Sequence, residues 1–239
     1  MFGNKFLDAQ WRNLVMANYE VSPEILQKYL PYKTELDFWN NRCYVSLVGF
    51  QFLETKVLGI KFLFHTNFDE VNLRFYVRYN DNGEWKRGVV FIKEIVPKAM
   101  ITLIANTIYH ENYATHPCKH DIHTAGNQLF VQYSWKHKEI WNHIQVNADS
   151  ATKPIEVRSE EEFITEHYWG YAAYSTKKTN EYQVQHPRWN VHSVRDCNIK
   201  CDFEELYGHE FAFLKNTKPI SVLLAEGSEV SVFKGKAII

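Results

Sequence analysis

The chain has 239 residues, with 27 Lys plus Arg against 28 Asp plus Glu and a formal net charge of -1. That even balance offers no electrostatic attraction for nucleic acid or an anionic membrane, and neither is expected as a partner. The length suffices for one large β domain with its own core, and Cys43, Cys118, Cys197 and Cys201 are too few and unevenly spaced for a disulfide scaffold.

The opening MFGNKFLDAQW lacks a long apolar segment with a small-residue cleavage site, so a reduced, cytoplasmic protein is expected. WRNLVMANYEV reads as a strand. In SPEILQKYLP, Ser22 suits a cap, Pro23 the first helical position and Glu24 the positive helix start. Ile25, Leu26 and Tyr29 form a short apolar face, and Pro31 stops the helix. RCYVSLVGFQFLET is a strand rich in β-branched and aromatic residues. A hairpin follows around Asn80-Asp81-Asn82-Gly83, where Asn and Gly accept positive φ. On its first strand Val71, Leu73, Phe75, Val77 and Tyr79 share one face. Asn72, Arg74, Tyr76 and Arg78 share the other, which faces either a polar interior or solvent.

PKAMITLIANTIYH is a second helix, started by Pro97, with Met100, Leu103, Ile104 and Ile108 as its apolar stripe. Strands are expected near Asn112–His123, in QLFVQYSWKH and in EIWNHIQVNA, with turns at Gly126-Asn127 and near His137. Ser159 caps a third helix, with Glu160, Glu161 and Glu162 in its first turn. Further strands run through NEYQVQHP and WNVHSVRDCNIKCDF, and ISVLLAEGSEVSVFKGKAII reads as a hairpin. Many strands with a few short helices, and no internal repeat or linker, give a mainly β (α+β) chain. The expectation is one mainly antiparallel domain over residues 1–239, a β-barrel. Aromatic residues, 15% of the chain, suit such strands and are common pocket linings.

YATHPCKHDIH carries His116, Cys118, His120 and His123. On a strand His116, Cys118 and His120 share a face, but the outer two stand roughly 13 Å apart at about 3.3 Å per residue. Convergence on one ion needs a bend, which Pro117 can supply. A histidine-rich edge strand is the preferred reading, with no metal or cofactor assigned. Cys197 and Cys201 are one ligand pair without a second, and read as thiols packed in or beside the core. No phosphate-cradling glycine loop, nucleophile elbow or H-E-x-x-H pair is present.

Two regions carry a family resemblance. Asn72-Leu73-Arg74-Phe75-Tyr76-Val77 followed by Gly88-Val89-Val90-Phe91 is similar to a strand pair of the YqjF-like family of uncharacterised bacterial proteins. So is Phe163-Ile164-Thr165-Glu166-His167-Tyr168-Trp169-Gly170-Tyr171 followed by Gln185-His186-Pro187-Arg188-Trp189. Trp11, Pro23, Leu30-Pro31 and YVSLVGF also fit, so the likeness runs from about residue 10 to the end. It implies the acetoacetate decarboxylase-like fold, a closed barrel with a deep central pocket. The decarboxylase forms a Schiff base through a lysine that must be deprotonated at neutral pH. The corresponding run here is ANTIYHENYATHP, where Tyr109 matches the decarboxylase's tryptophan, Asn112 its proline and Tyr113 its first lysine. Lys93, Lys98 and Lys119 fall off the match, Lys93-Glu94 reads as a solvated pair, and Schiff-base chemistry is not expected.

The leading expectation is a protein that binds a small carbonyl or carboxylate compound in the barrel through Arg74, Tyr109, Tyr113, His186 and Trp189. Arg74 would clamp a carboxylate, Tyr109 and Tyr113 donate hydroxyl bonds, His186 hold a proton and Trp189 stack. One alternative is an enzyme using His186 or Tyr113 in acid–base catalysis. The other is a structural or regulatory partner of proteins, with an exposed apolar patch and no sizeable pocket. A homo-oligomer is left open.

Overall fold

The computed structural model describes residues 4–239, apart from the side chains of residues 108 and 109. Period-two patterning yields long strands: β1 (Lys5–Glu20), β2 (Thr34–Leu36), β3 (Tyr44–Val57), β4 (Phe68–Asp81) and β5 (Glu84–Val96). Next come β6 (Tyr113–Thr115), β7 (Cys118–Ala125), β8 (Gln128–His137) and β9 (Ile140–Pro154). The last are β10 (Trp169–Ser175), β11 (Lys178–Gln185), β12 (Asn190–Lys200), β13 (Ser221–Phe233) and β14 (Lys236–Ile238). Short helices intervene: α1 (Pro23–Leu26), α2 (Ala99–Ile104), α3 (Glu160–Thr165) and α4 (Phe203–Tyr207). No helix among the described residues is long and apolar enough to cross a membrane.

The strands form one sheet in the order β14-β11-β10-β5-β4-β3-β1-β13-β12-β9-β8-β7, with β2 on β4 and β6 on β5. Pairing is antiparallel except that β10 and β6 run parallel to β5. Two further residue pairs, Val184 with Val232 and Gln185 with Ser231, link β11 to β13.

The alternation on β4 sorts the interior. Val71, Leu73, Phe75 and Val77 enter a core with Tyr133 and Trp135 of β8, Ile144 of β9 and Phe203 of α4. Phe68 and Tyr76, on the opposite face, join Met16, Phe50, Phe52, Phe163 and Trp189 in a second cluster. The hairpin turn sits at Asn82 and Gly83, both with positive φ, between the paired Asp81 and Glu84.

Several expectations are corrected. The Ser22 hydroxyl bonds Glu24 and caps no backbone amide, whereas Ser159 Oγ accepts from the Glu162 amide at 3.1 Å. Pro97 precedes α2 without starting it. The Met100 and Leu103 side chains are 55% and 63% exposed, so that stripe is no core face. The segment 112–123 splits into β6 and β7 around Pro117. The terminal segment is no hairpin: β13 is followed by the short β14, which pairs with β11 instead. Within β13, Gly227 has φ 78°, and a Cβ there would lie 2.0 Å from the Trp11 carbonyl oxygen. β10 and α4 were not anticipated.

Candidate functional site

Three strands and one irregular turn build the site. On β4, Glu70, Asn72 and Arg74 lie on the face opposite the first core and line a cavity of about 390 Å³. On β5, strict alternation from Val89 and Phe91 would send Lys93 into that cavity. Instead the register slips: Leu73 pairs Lys93 while Arg74 pairs Phe91, so Ile92 is a bulge and Glu94 takes the inward place. Asn112 Nδ2 donates to the Ile92 carbonyl at 2.7 Å, satisfying the bulged backbone.

After α2 the chain continues as a π-helical turn, Ala105–Tyr109, ended by His110 at φ 58°. Asn106 then clamps the returning strand, accepting from the Tyr113 amide at 2.7 Å and donating to its carbonyl at 3.0 Å. This fixes Glu111 and Tyr113 against the cavity. On β11, Tyr182 and Val184 share one face, and His186 continues it just past the strand; all three line the cavity. A Cβ on Gly170 of β10 would stand 2.1 Å from the Tyr182 ring, so only glycine lets that ring cross β10. His186 stacks on Trp189 at 4.1 Å and 16°, and Trp189 Nε1 donates to Ser228 Oγ at 2.8 Å.

The polar wall is a carboxyl cluster. Tyr113 donates to Glu70 Oε2 at 3.1 Å, Asn72 Nδ2 to Glu70 Oε1 at 2.9 Å, and Tyr182 to Glu111 Oε1 at 2.7 Å. Burial pushes Glu70 up to about 7, though the Asn72 and Tyr113 bonds and Arg74 pull it back. Burial also lifts Glu111 to about 8, and it lifts Glu94 well above the usual carboxylate range, with Glu111 and Glu70 adding repulsion. His167 is held down to about 4 by burial. It is therefore neutral, with Nε2 donating to Asp37 Oδ2 at 3.2 Å, and Asp37 is gripped by Arg87 at 2.6 Å. His186 is lowered by burial and shares Nδ1 with the Pro187 carbonyl at 2.9 Å.

Ten buried side-chain N or O atoms among the described residues lack a partner. Six belong to residues lining this cavity: Trp11 Nε1, Thr55 Oγ1, Asn72 Oδ1, Arg74 Nε, Glu94 Oε2 and His167 Nδ1. Arg74 Nη2 meets only Met16 Sδ at 3.7 Å and the Ile164 carbonyl at 3.4 Å, and its guanidinium lies over Tyr76. Among the described residues it forms no ion pair.

Arg74, Tyr113, His186 and Trp189, far apart in sequence, thus line one cavity; the Tyr109 side chain lies outside the described residues. Asn72, beside Arg74, and Tyr182, two steps before Val184, were readable from alternation but not singled out. Glu70, Glu94, Glu111 and His167 were missed. Lys93-Glu94 is no solvated pair: Glu94 is buried, and half-buried Lys93 turns away to the Leu206 carbonyl, its pKa lowered by burial. Among the described residues no lysine lines the cavity. The histidine cluster disperses. His116 packs edge-on to His137, Cys118 Sγ donates to the His116 carbonyl, and His120 Nδ1 pairs with Asp69 at 2.8 Å. Among the described residues no group of three or more His, Cys, Asp or Glu is arranged to hold a metal ion. Cys201 is in the first core and Cys197 packs against it.

Comparison with known proteins agrees with this architecture. The chain is 26% identical over 181 residues to the uncharacterized protein YqjF of Bacillus subtilis, covering 75% of this chain and 72% of that protein. Its fold matches acetoacetate decarboxylase of Legionella pneumophila with TM-score 0.66 and 13% identity, over 98% of this chain and 87% of that one. An acetoacetate decarboxylase-like enzyme of Sphingomonas wittichii matches with TM-score 0.66 and 10% identity, over 98% and 94%. The enduracididine biosynthesis enzyme MppR, solved with pyruvate, matches with TM-score 0.66 and 10% identity, over 99% and 91%. The model of the family DUF2071, an uncharacterised conserved protein, matches residues 8–229, and the chain belongs to that family.

Proposed function

We propose that the chain is one barrel domain whose central cavity binds a small organic carboxylate or carbonyl compound. The barrel reading is supported by the β11–β13 pairs, which join the strand order back on itself through β10, β5, β4, β3 and β1. The binding reading is carried by one observation: six of the ten orphaned buried polar atoms among the described residues belong to side chains in the wall of a single aromatic-lined cavity. Native proteins leave few such atoms, and a polar ligand would supply the missing partners. Arg74 is the anchor for a carboxylate, because its planar fork has no competing acid. The binding of pyruvate by MppR on the same fold adds support. The cavity's size disfavours a purely structural role.

Native mass spectrometry of freshly purified protein tests this: a co-purified small acid is expected, and Arg74→Gln should lose it. In titrations with short carboxylates, that variant should weaken binding by about tenfold or more. Equal binding by both proteins would overturn the reading.

A second reading, an enzyme using acid–base chemistry, is favoured by the Glu70 and Glu111 carboxyls, poised near neutral pH beside Tyr113 and Tyr182. It operates without an imine. Borohydride trapping with pyruvate or acetoacetate should leave every lysine unlabelled, and an adduct on any lysine would contradict it.

A further inference from the structure

Within the cavity, Glu70, Glu94 and Glu111 stand together without a counter-ion. We propose that this carboxyl cluster is the receptor for a protonated nitrogen on the ligand, an alkylammonium or amidinium group, so that the bound molecule is amphoteric, with its carboxylate on Arg74. The proposal rests on the ligand-binding reading above and adds the second pole.

Three observations carry it. No Lys or Arg among the described residues forms an ion pair with any of the three carboxyls; the one cation acting on them is Arg74, on Glu70, without contact. Glu94 Oε2 and Asn72 Oδ1 are acceptors without partners, on side chains 2% and 1% exposed, and both residues line the cavity. The nearby hydroxyls are committed: Tyr113 donates to Glu70 and also acts on Glu94, and Tyr182 donates to Glu111, which leaves Glu94 Oε2 without a donor. What the cluster lacks is therefore a group with several N–H donors and a positive charge, which an ammonium or amidinium provides. Among the described residues no three His, Cys, Asp or Glu are arranged to hold a metal ion, which favours an organic cation for this pole.

Glu70 and Arg74 share one face of β4, four residues apart, or roughly 13 Å along the strand. Both side chains enter the same cavity from that face, so a flexible ω-amino acid with a charge at each end, such as ε-aminocaproate, is the probe class.

Without a cation, burial and mutual repulsion keep protons on these carboxyls. When the ammonium enters, a carboxylic acid becomes a carboxylate paired to it, and its proton passes to the buffer. Binding should thus release about one proton, which a purely structural carboxyl would not do.

Calorimetric titration of ε-aminocaproate, caproate and hexylamine, in phosphate and in Tris, tests the proposal. ε-Aminocaproate should bind about tenfold more tightly than caproate. Its enthalpy should differ between the buffers by the ionisation heat of the released proton. Glu94→Gln or Glu111→Gln should erase the advantage and the proton release while caproate still binds. If one variant does not fold, the other carries this comparison. Caproate binding the wild type as tightly as ε-aminocaproate, or an advantage surviving both variants, would overturn the cationic pole and leave the carboxylate reading standing. No binding of any of the three would sink both.

Discussion

A carboxyl oxygen buried without a donor is tolerated only if its group keeps a proton, and Glu94 is the sharpest instance here. Unfolded carboxyls titrate near 4.5, whereas Glu70 in the fold titrates near 7 and Glu111 near 8. Between those values the folded chain binds more protons than the unfolded one, so these groups lose stability as pH rises and the loss is complete above about pH 8. For Glu70 alone the shift corresponds to roughly 3 kcal/mol. His167 has the opposite sign: its pKa falls from 6.5 to about 4, so its contribution is lost as pH drops through that window. Calorimetric melting should therefore show stability falling as pH rises above about 6.5, where His167 no longer compensates. Glu94→Gln should flatten that slope and exceed wild type at pH 8, while an unchanged slope would mean the cluster is not protonated. Gly170→Ala tests the neighbouring contact. Its methyl must displace the Tyr182 ring from Glu111, at about 1–3 kcal/mol, with a matching loss of ligand affinity. Full retention of both would show that the ring finds another route.

At the scale of elements, side-chain alternation was readable where strands are regular and hidden where they slip. The face of β4 carrying Asn72 and Arg74 was legible from period two alone, as was the helix start at Ser159. Glu94 was not, because one extra residue at Ile92 exchanges it with Lys93, and no local residue announces a bulge. Glu111 was hidden by the π-helical turn, which shifts the phase of a stripe that otherwise reads as core-facing. Gly227 resembles a turn glycine in sequence, yet it lies inside a continuous strand, at positive φ and close against the Trp11 backbone. Among the described residues one side chain, Asn112, bonds the bulged backbone of β5. Asn112→Ala removes the donor to the Ile92 carbonyl, which should cost about 1–3 kcal/mol by chemical denaturation and also weaken binding, because Glu94 is aimed by that bulge. A variant less stable but unimpaired in binding would show that the bulge holds without Asn112.

Across the whole molecule, the walls of the cavity are unequally secured. β4 pairs with β3 over Phe68–Phe75, with β2 over Val77–Tyr79 and with β5 over Val71–Asp81. The β10–β11 hairpin, which carries Gly170, Tyr182 and Val184, is internally paired from Trp169–Gln183 to Ser175–Lys178. Among the described residues, its pairs to the cavity's other walls are Trp169–Gly88 and Gly170–Val89 on one side and Val184–Val232 and Gln185–Ser231 on the other. β14 adds three pairs at the far edge. Local opening follows the thinnest hydrogen-bonded seams, so this hairpin should separate as a unit well before β4 does. Native-state hydrogen exchange should show the β10–β11 amides exchanging faster than those of Val71–Val77, with Ser231 and Val232 following the hairpin. A ligand held between Arg74 on β4 and Glu111, the partner of Tyr182 on β11, bridges the secured wall and the loose one. Its binding should slow exchange in β10 and β11 while leaving β8 and β9 unchanged, because those strands pack on the opposite face of β4. Uniform exchange before ligand, or protection confined to β8 and β9, would place the mobile wall and the binding site elsewhere.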